Sequence, residues 1–302
     1  MAAAVALIVG NGLAIDLSRE HDLWNPSHPL SFDFRMPGGL HWRDALPEMA
    51  ALVPRDATDS FAALESLPIR GNARLDAEVR HFLALAYSNF DQRVELPMLL
   101  RWKWRKWLRQ HQDALHSIVS FNYETCVERA LESVVGRAIW NSCAQNTPRP
   151  SRPFLFKPHG SINLVMAPGC IGGWDPSYPL NNICSLNNTP VVQCSRTATL
   201  KARLEAFTVL PGEVSPYTGF QWVAPLYQNW GRLAAPVTHC VVAGISYWDC
   251  DRAELDFLLS ALPRQANVVI ANPYPPPELI KFLEREGRRY SVWQSGPQRI
   301  RA

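Results

Sequence analysis

Apolar residues along the chain fall into two rhythms. Four short unbroken runs suit strands buried on both faces: VALIV at 5–9, HSIVSF at 116–121, THCVVA at 238–243 and NVVIA at 267–271. After each run, apolar positions recur every three or four residues, the spacing of one helix face. Helices are predicted from near Leu13, over Tyr123–Val134, over Asp249–Leu262 and over the proline-opened Pro277–Glu286. In the second of these, Val127, Ala130, Leu131 and Val134 share a face. Phe154–Lys157 is a further short strand, and Tyr290–Trp293 is the last. This alternation argues for an α/β fold, a Rossmann-like parallel sheet with helices on both faces.

Two stretches break the alternation. Residues about 41–112 keep helical spacing, with helices over Ala73–Phe90 and Leu96–Leu115, and read as a helical insertion between the first two core strands. Residues about 163–216 are rich in Pro, Asn, Cys and Gly and read as a loop-rich insertion with short strands. The remainder, about 1–40, 113–162 and 217–302, is the Rossmann core, so that 1–302 forms a single domain. Within the helical insertion, RWKWRKWLRQ (101–110) alternates basic and aromatic residues. At helical spacing Leu100, Trp104, Trp107, Leu108 and His111 share one face, which makes an amphipathic helix with a solvated basic edge. A partner-binding or nucleic-acid surface is the alternative.

Composition narrows the class. A hydrophobic fraction of 47% over 302 residues supports a sizeable core, and a net charge of +3 calls for no polyanionic partner. No apolar run reaches the roughly 18–20 residues that span a bilayer. The start, MAAAVALIV, lacks a basic segment and runs directly into Gly10-Asn11-Gly12, so it reads as a core strand of a cytoplasmic protein rather than a leader. Seven cysteines are present with no C-x-x-C pair. Cys170, Cys184 and Cys194 are either scattered reduced thiols or three corners of a metal site; the absence of close pairs favours thiols, and no metal is expected.

Polar residues stand where each core strand ends. Asn11 and Asp16 follow the first; Ser120, Asn122, Tyr123 and Glu124 the second. His159, Gly160, Ser161 and Asn163 follow Phe154–Lys157, Gly244, Ser246 and Asp249 the next run, and Asn272 the last. Singly, each is a capping residue; together they would line one rim of one sheet, where ligands of parallel α/β folds sit. By itself, Gly10-Asn11-Gly12 reads equally as a tight bend or as a turn placing the next helix's N–H groups against a phosphate.

In order, these segments resemble the SIR2-like NAD-binding family, specifically its prokaryotic effectors that destroy NAD during phage defence. VGNGLAID resembles the family's Gly-Ala-Gly-x-Ser turn, and SFNYETCVERAL its Thr-Asn-Tyr-Asp segment and helix. FKPHGSIN resembles the Leu-His-Gly-Ser segment, VVAGISYWD the late Gly-x-Ser strand end, and VVIANP the closing Ile-Asn strand. SFDFRMPGGL (31–40) is similar to the sirtuin Pro-Asp-Phe-Arg lid, although it lies further from the first glycine. Asn11, Ala14 and Glu124 depart from the family's usual small residue, Ser and Asp. The chain also lacks the four-cysteine zinc ribbon of deacylating sirtuins.

The resemblance implies NAD+ as substrate, split into nicotinamide and ADP-ribose by an antiphage effector that depletes the cofactor. Asn122 would orient a ribose hydroxyl or water, and His159 would be the base. The N–H groups of Gly10, Asn11, Gly12 and Leu13 would take the pyrophosphate. Gly244 and Ser246 would add phosphate or ribose contacts, Asn272 would hold the adenosine ribose, and Asp16 would bond a ribose or fix the loop. Ser120, Tyr123 and Glu124 complete the expected site, Glu124 toward the nicotinamide amide. The resemblance further implies a homo-oligomer or a separate sensor, such as a HerA-type ATPase or a short Argonaute. Protein deacylation or ADP-ribosylation, and a non-catalytic NAD or ADP-ribose sensor, are the alternatives.

Overall fold

The structure, a computed structural model, describes residues 4–23, 35, 39–57, 60–147, 152–167, 190–200, 206–210, 220 and 222–300. Its strands are β1 (Val5–Val9), β2 (Leu115–Ser120), β3 (Phe154–Phe156), β4 (Leu164–Met166), β5 (Val191–Gln193), β6 (His239–Ala243), β7 (Asn267–Ala271) and β8 (Tyr290–Trp293). Helix α1 (Gly12–Glu20) follows β1. Between it and β2 come α2 (Trp42–Ala45), α3 (Pro47–Leu52), α4 (Ser60–Glu65), α5 (Ala73–Arg93), α6 (Leu96–Arg101) and α7 (Lys103–His111). Then α8 (Cys126–Val135), α9 (Ala224–Ala234), α10 (Asp249–Ser260) and α11 (Pro277–Arg285) complete the set.

Six strands form a parallel sheet in the order β3-β2-β1-β6-β7-β8, and β4 and β5 pair antiparallel. The fold is the Rossmann-like α/β sheet that the alternation predicts. β1 pairs with β2 on one side and β6 on the other, so strand order reverses there, and the crevice at its carboxyl end is the switch point where such folds bind ligands. Alternate residues of β1 face opposite layers. Val5, Leu7 and Val9 pack with residues of α1, α7 and α8. Ala6 and Ile8 pack with Leu226 and Trp230 of α9, Leu255 and Leu258 of α10 and Leu279 of α11. Every β1 side chain is thus buried, each aliphatic one stabilising the fold by roughly 1.5–3 kcal/mol relative to exposure.

Two local departures from the expected elements have physical causes. The helix expected over Leu96–Leu115 breaks at Trp102, whose extended backbone (φ −58°, ψ 130°) separates α6 from α7, and Leu115 belongs to β2. The break buries Trp102 and turns Leu100 off the Trp104–Trp107–His111 face, leaving Leu100 45% exposed. The helix expected from Tyr123 begins instead at Cys126, because tertiary contacts hold residues 122–125 out of it. The Asn122 N–H donates to Ser120 Oγ, the Tyr123 carbonyl accepts from Ile162 N–H and Ser161 Oγ, and the Thr125 N–H donates to Asp91.

The helices between β1 and β2 have their own core of Trp42, Met49, Leu75, Phe82 and Tyr87, which reaches Tyr123, Ile162 and Leu210. Cys170, Cys184 and most of the segment 31–40 lie outside the described residues, as does most of 163–216. Among the described residues, no helix is long and apolar enough to cross a membrane.

Candidate active site

A cavity of about 600 Å³ opens at the carboxyl ends of the parallel strands. It takes residues from the segments after all six: Gly10–Leu13 after β1, Phe121–Tyr123 after β2, His159 after β3, Gly244–Ser246 after β6, Asn272–Tyr274 after β7 and Gln294–Gly296 after β8. Of the residues expected at the site, Gly10, Asn11, Gly12, Leu13, Asp16, Asn122, Tyr123, His159, Gly244, Ser246 and Asn272 line it. Ser120 and Glu124 do not: both side chains are buried behind Asn122.

The glycines bring two strand ends into backbone contact. A Cβ on Gly12 would lie 2.6 Å from Gly244 Cα, and Gly244 adopts a left-handed φ of +63°. This packing also uses N–H groups assigned from the sequence to a phosphate. Gly10 N–H donates to the Ala243 carbonyl, Gly12 N–H to the Gly244 carbonyl and Leu13 N–H to the Gly10 carbonyl. The expectation that Gly10, Gly12 and Leu13 offer free donors is corrected accordingly. Among the described residues, the N–H groups of Asn11 and Ala14 have no partner and sit at the positive end of α1. Asp16 does not cap locally: Trp102 Nε1 donates to it at 3.2 Å and Lys103 Nζ pairs with it at 2.6 Å, fixing α1 to the α6–α7 break.

Asn122 sits where a small polar group can act. Its Nδ2 donates to Glu124 Oε1 at 3.0 Å, while its Oδ1 is buried with no partner among the described residues. Tyr123 is fixed by its hydroxyl donating to the Val209 carbonyl and by its ring lying 5.0 Å from that of Tyr87. His159 projects from a loop that needs Gly160 beside it, since a Cβ there would lie 1.8 Å from the Phe207 carbonyl oxygen, and φ is +84°. The His159 ring meets Phe121 edge-on at 4.7 Å. Its Nε2 lies 3.3 Å from Glu254 Oε2 and 3.7 Å from Asp251 Oδ1.

Asn272 joins two rim loops. Its Nδ2 donates to the Ile245 carbonyl and its Oδ1 accepts from Tyr274 N–H, so both ends of its amide are used by the backbone. Ser246 is exposed at the rim beside Trp248, which is 49% exposed. Asp251, Glu254, Lys103, Tyr87 and the segment 294–296 escape a reading of strand ends because they come from helix faces and from beyond the last strand. The one legible signal was Glu254, an acid beside Leu255 and Leu258 on a core-facing helix.

Glu124 lies over a buried charge cluster. Lys157 Nζ pairs with Glu128 Oε1 at 2.7 Å and donates to the Glu124 carbonyl. Burial pushes the Glu124 carboxyl up to about 7; Lys157 and the Asn122 amide pull it down, and Glu128 pushes it up. The folded carboxyl therefore holds its proton more tightly than the unfolded one. Its stabilising contribution is fully present below the unfolded value of about 4.3 and is lost as pH rises through about 7. Glu124→Gln keeps an acceptor for Asn122 and removes that titration. Relative to the parent, the variant is expected to match near pH 4 and to gain stability, on the order of 3 kcal/mol, at pH 8. Thermal melts at both pH values check this; a difference independent of pH contradicts it.

Among the described residues, no group of three or more His, Cys, Asp or Glu is placed to hold a metal. Among the described residues, Cys126, Cys143, Cys194, Cys240 and Cys250 form no disulfide, and burial pushes Cys143 and Cys240 up to about 12. On α7, Arg105 is committed to Ser133, while Lys106 and Arg109, and Arg101 at the end of α6, are exposed.

No protein-family model and no curated protein matches the chain. Among solved structures it is similar to a Sir2 homologue mutant in complex with ADP-ribose, at 15% identity over 98% of this chain and 87% of that one, with a TM-score of 0.43. It is similar to a Sir2 homologue–NAD complex at 15% identity over 98% and 85% of the chains, with a TM-score of 0.43. A Sir2–p53 peptide–NAD+ complex is similar at 11% identity over 98% and 89%, with a TM-score of 0.38.

Proposed function

We propose that the chain is an NAD+ glycohydrolase that cleaves the nicotinamide–ribose bond to give nicotinamide and ADP-ribose. The observation that carries this reading is the meeting of Asn122 and His159, from the ends of β2 and β3, in one cavity at the switch point of the sheet. The motif order from Gly10 to Asn272 supports it. A volume of about 600 Å³ suits a cofactor-sized ligand.

The chemistry explains the residue types. Nicotinamide is cationic while bonded to the ribose, so it leaves with the bond's electron pair as a neutral molecule, and no general acid is required. The ribose carbon passes through an oxocarbenium-like state, to which water adds and then loses a proton. Catalysis then rests on position, exclusion of water and a proton acceptor. With Nδ2 committed to Glu124, Asn122 offers Oδ1 as an acceptor for a ribose hydroxyl or the attacking water. His159 takes the proton. The N–H groups of Asn11 and Ala14 hold the pyrophosphate, Ser246 adds a phosphate or ribose contact, and Asp16 and Asn272 keep the loops around the adenosine half in place.

Such an activity depletes a shared cofactor. We assign it to an effector of bacterial antiphage defence, held off until needed by homo-oligomerisation or by a sensor such as a HerA-type ATPase or a short Argonaute. The test is incubation of the purified chain with NAD+ and chromatographic resolution of the products. Equal amounts of nicotinamide and ADP-ribose, formed without any acceptor, are expected. Turnover only with an acyl-lysine peptide would instead mark a deacylase. Tight NAD+ binding without nicotinamide release, even with neighbouring-gene partners and phage components present, would mark a sensor.

A further inference from the structure

We infer that Glu254, itself fixed by Tyr227, is the positioning residue for His159, so that a Tyr–Glu–His relay runs from α9 through α10 into the cavity. The inference rests on the reading of His159 as the proton acceptor. None of the motifs that point to NAD+ contains Glu254 or Tyr227.

The two oxygens of Glu254 are divided between two partners. Tyr227 Oη donates to Oε1 at 2.7 Å, and Oε2 faces His159 Nε2 at 3.3 Å. Burial, followed by the Glu254 charge, raises the Tyr227 hydroxyl well above its usual range, so it remains a donor. The Tyr227 ring packs 4.9 Å from that of Phe257 on α10, which holds the two helices in register at this point. On its other side the imidazole meets the Phe121 ring edge. Asp251, also on α10 and lining the cavity, adds a second negative group 3.7 Å from Nε2.

The Glu254 side chain is only 4% exposed, on a helix whose neighbouring inward positions are Leu255 and Leu258. Burying a carboxylate there costs several kcal/mol unless it is paired, whereas a leucine would add to the core. A purely structural role therefore gives poor return, and a partner that becomes charged during turnover gives a good one. Nε2 is the ring nitrogen that faces Glu254, and a proton held there puts the lone pair of the neutral ring on Nδ1. When Nδ1 accepts a proton, the adjacent carboxylate stabilises the imidazolium.

The experiment pairs NMR titration of ring-labelled histidine in the full, ligand-free chain with steady-state nicotinamide release. The comparison is between the parent, Glu254→Gln and Tyr227→Phe. A carboxylate this close favours the charged imidazole, so Glu254→Gln lowers the His159 midpoint by about one pH unit or more. It lowers kcat by about 10²-fold, moves the acid limb of kcat/KM, which reports the free enzyme, downward by the same interval and leaves KM for NAD+ within about threefold. Tyr227→Phe, which leaves the carboxylate in place, gives a smaller change in the same direction, and the double variant adds little to Glu254→Gln. An unmoved His159 midpoint in both variants overturns the proposal whatever the turnover. So does a fall in kcat with an unmoved acid limb, the signature of a merely structural loss. If the midpoint moves but the parent releases no nicotinamide, the function proposed above fails while the His159–Glu254 pairing stands.

Discussion

Asn122→Ala and His159→Ala are each expected to slow nicotinamide release by about 10²–10⁴-fold, the range for losing a placed proton acceptor or orienting group. The two losses should differ in form. Without His159 the cavity keeps its shape, since that side chain meets Phe121, Asp251 and Glu254 at its edge rather than closing the core. Its activity should then recover partly at high pH, where hydroxide replaces the missing base. Asn122 removes an acceptor that no change of pH restores, so that variant should stay flat. The folded state should survive in both. Truncating Asn122 strands the Glu124 carboxylate, but a carboxyl already pushed up to about 7 can take a proton at modest cost. Initial rates across pH, with circular dichroism on the same samples, check these outcomes. Either variant retaining more than a tenth of the parent rate removes that residue from the mechanism.

The parts legible from sequence were those fixed by local pattern. Val5–Val9 is unbroken and apolar because both its faces meet helices, and Gly10 and Gly12 mark where two strand ends approach backbone to backbone. The polar residues after each strand were legible as a set because the carboxyl ends of parallel strands share one rim. What escaped depends on partners distant in the chain. The break at Trp102 obeys no local signal; it follows from an indole buried beside Asp16, 86 positions earlier. Glu124 looked like a ligand contact, yet contacts made by its neighbours turn it inward toward Asn122. The donors of the glycine turn looked free because nothing in VGNGLAID reveals that Gly244 will accept one of them. Glu254 is a further case, since its meaning resides in Tyr227 and His159.

Asp91→Ala is expected to destabilise the fold by about 3 kcal/mol. Asp91 is fully buried on α5 and ties three segments together. Its Oδ1 accepts from the backbone N–H of Thr125 at 2.9 Å and from the Thr125 hydroxyl at 2.8 Å. Its Oδ2 pairs with Arg129 of α8 at 3.4 Å and with Arg196, beyond β5, at 3.1 Å. Removing one partner of a buried pair typically costs about 3–5 kcal/mol, because the other charge is left without compensation. Here the arginines are 14% and 37% exposed, so water recovers part of that cost. The orphaned Thr125 N–H adds back about 1–3 kcal/mol. Thermal or urea denaturation measures the loss, and Asp91→Asn separates charge from hydrogen bonding by keeping an acceptor for Thr125. A loss below about 1 kcal/mol would mean that Thr125 finds another acceptor. Because Thr125 directly follows Asn122–Glu124, the damage should also reach the cavity. Amides of residues 122–128 should exchange faster in Asp91→Ala than in the parent under conditions where both remain folded. Through the buried Asp91, α5 would then act on the site from behind its wall, by holding the residues after β2 out of helix α8 and Asn122 at the cavity wall.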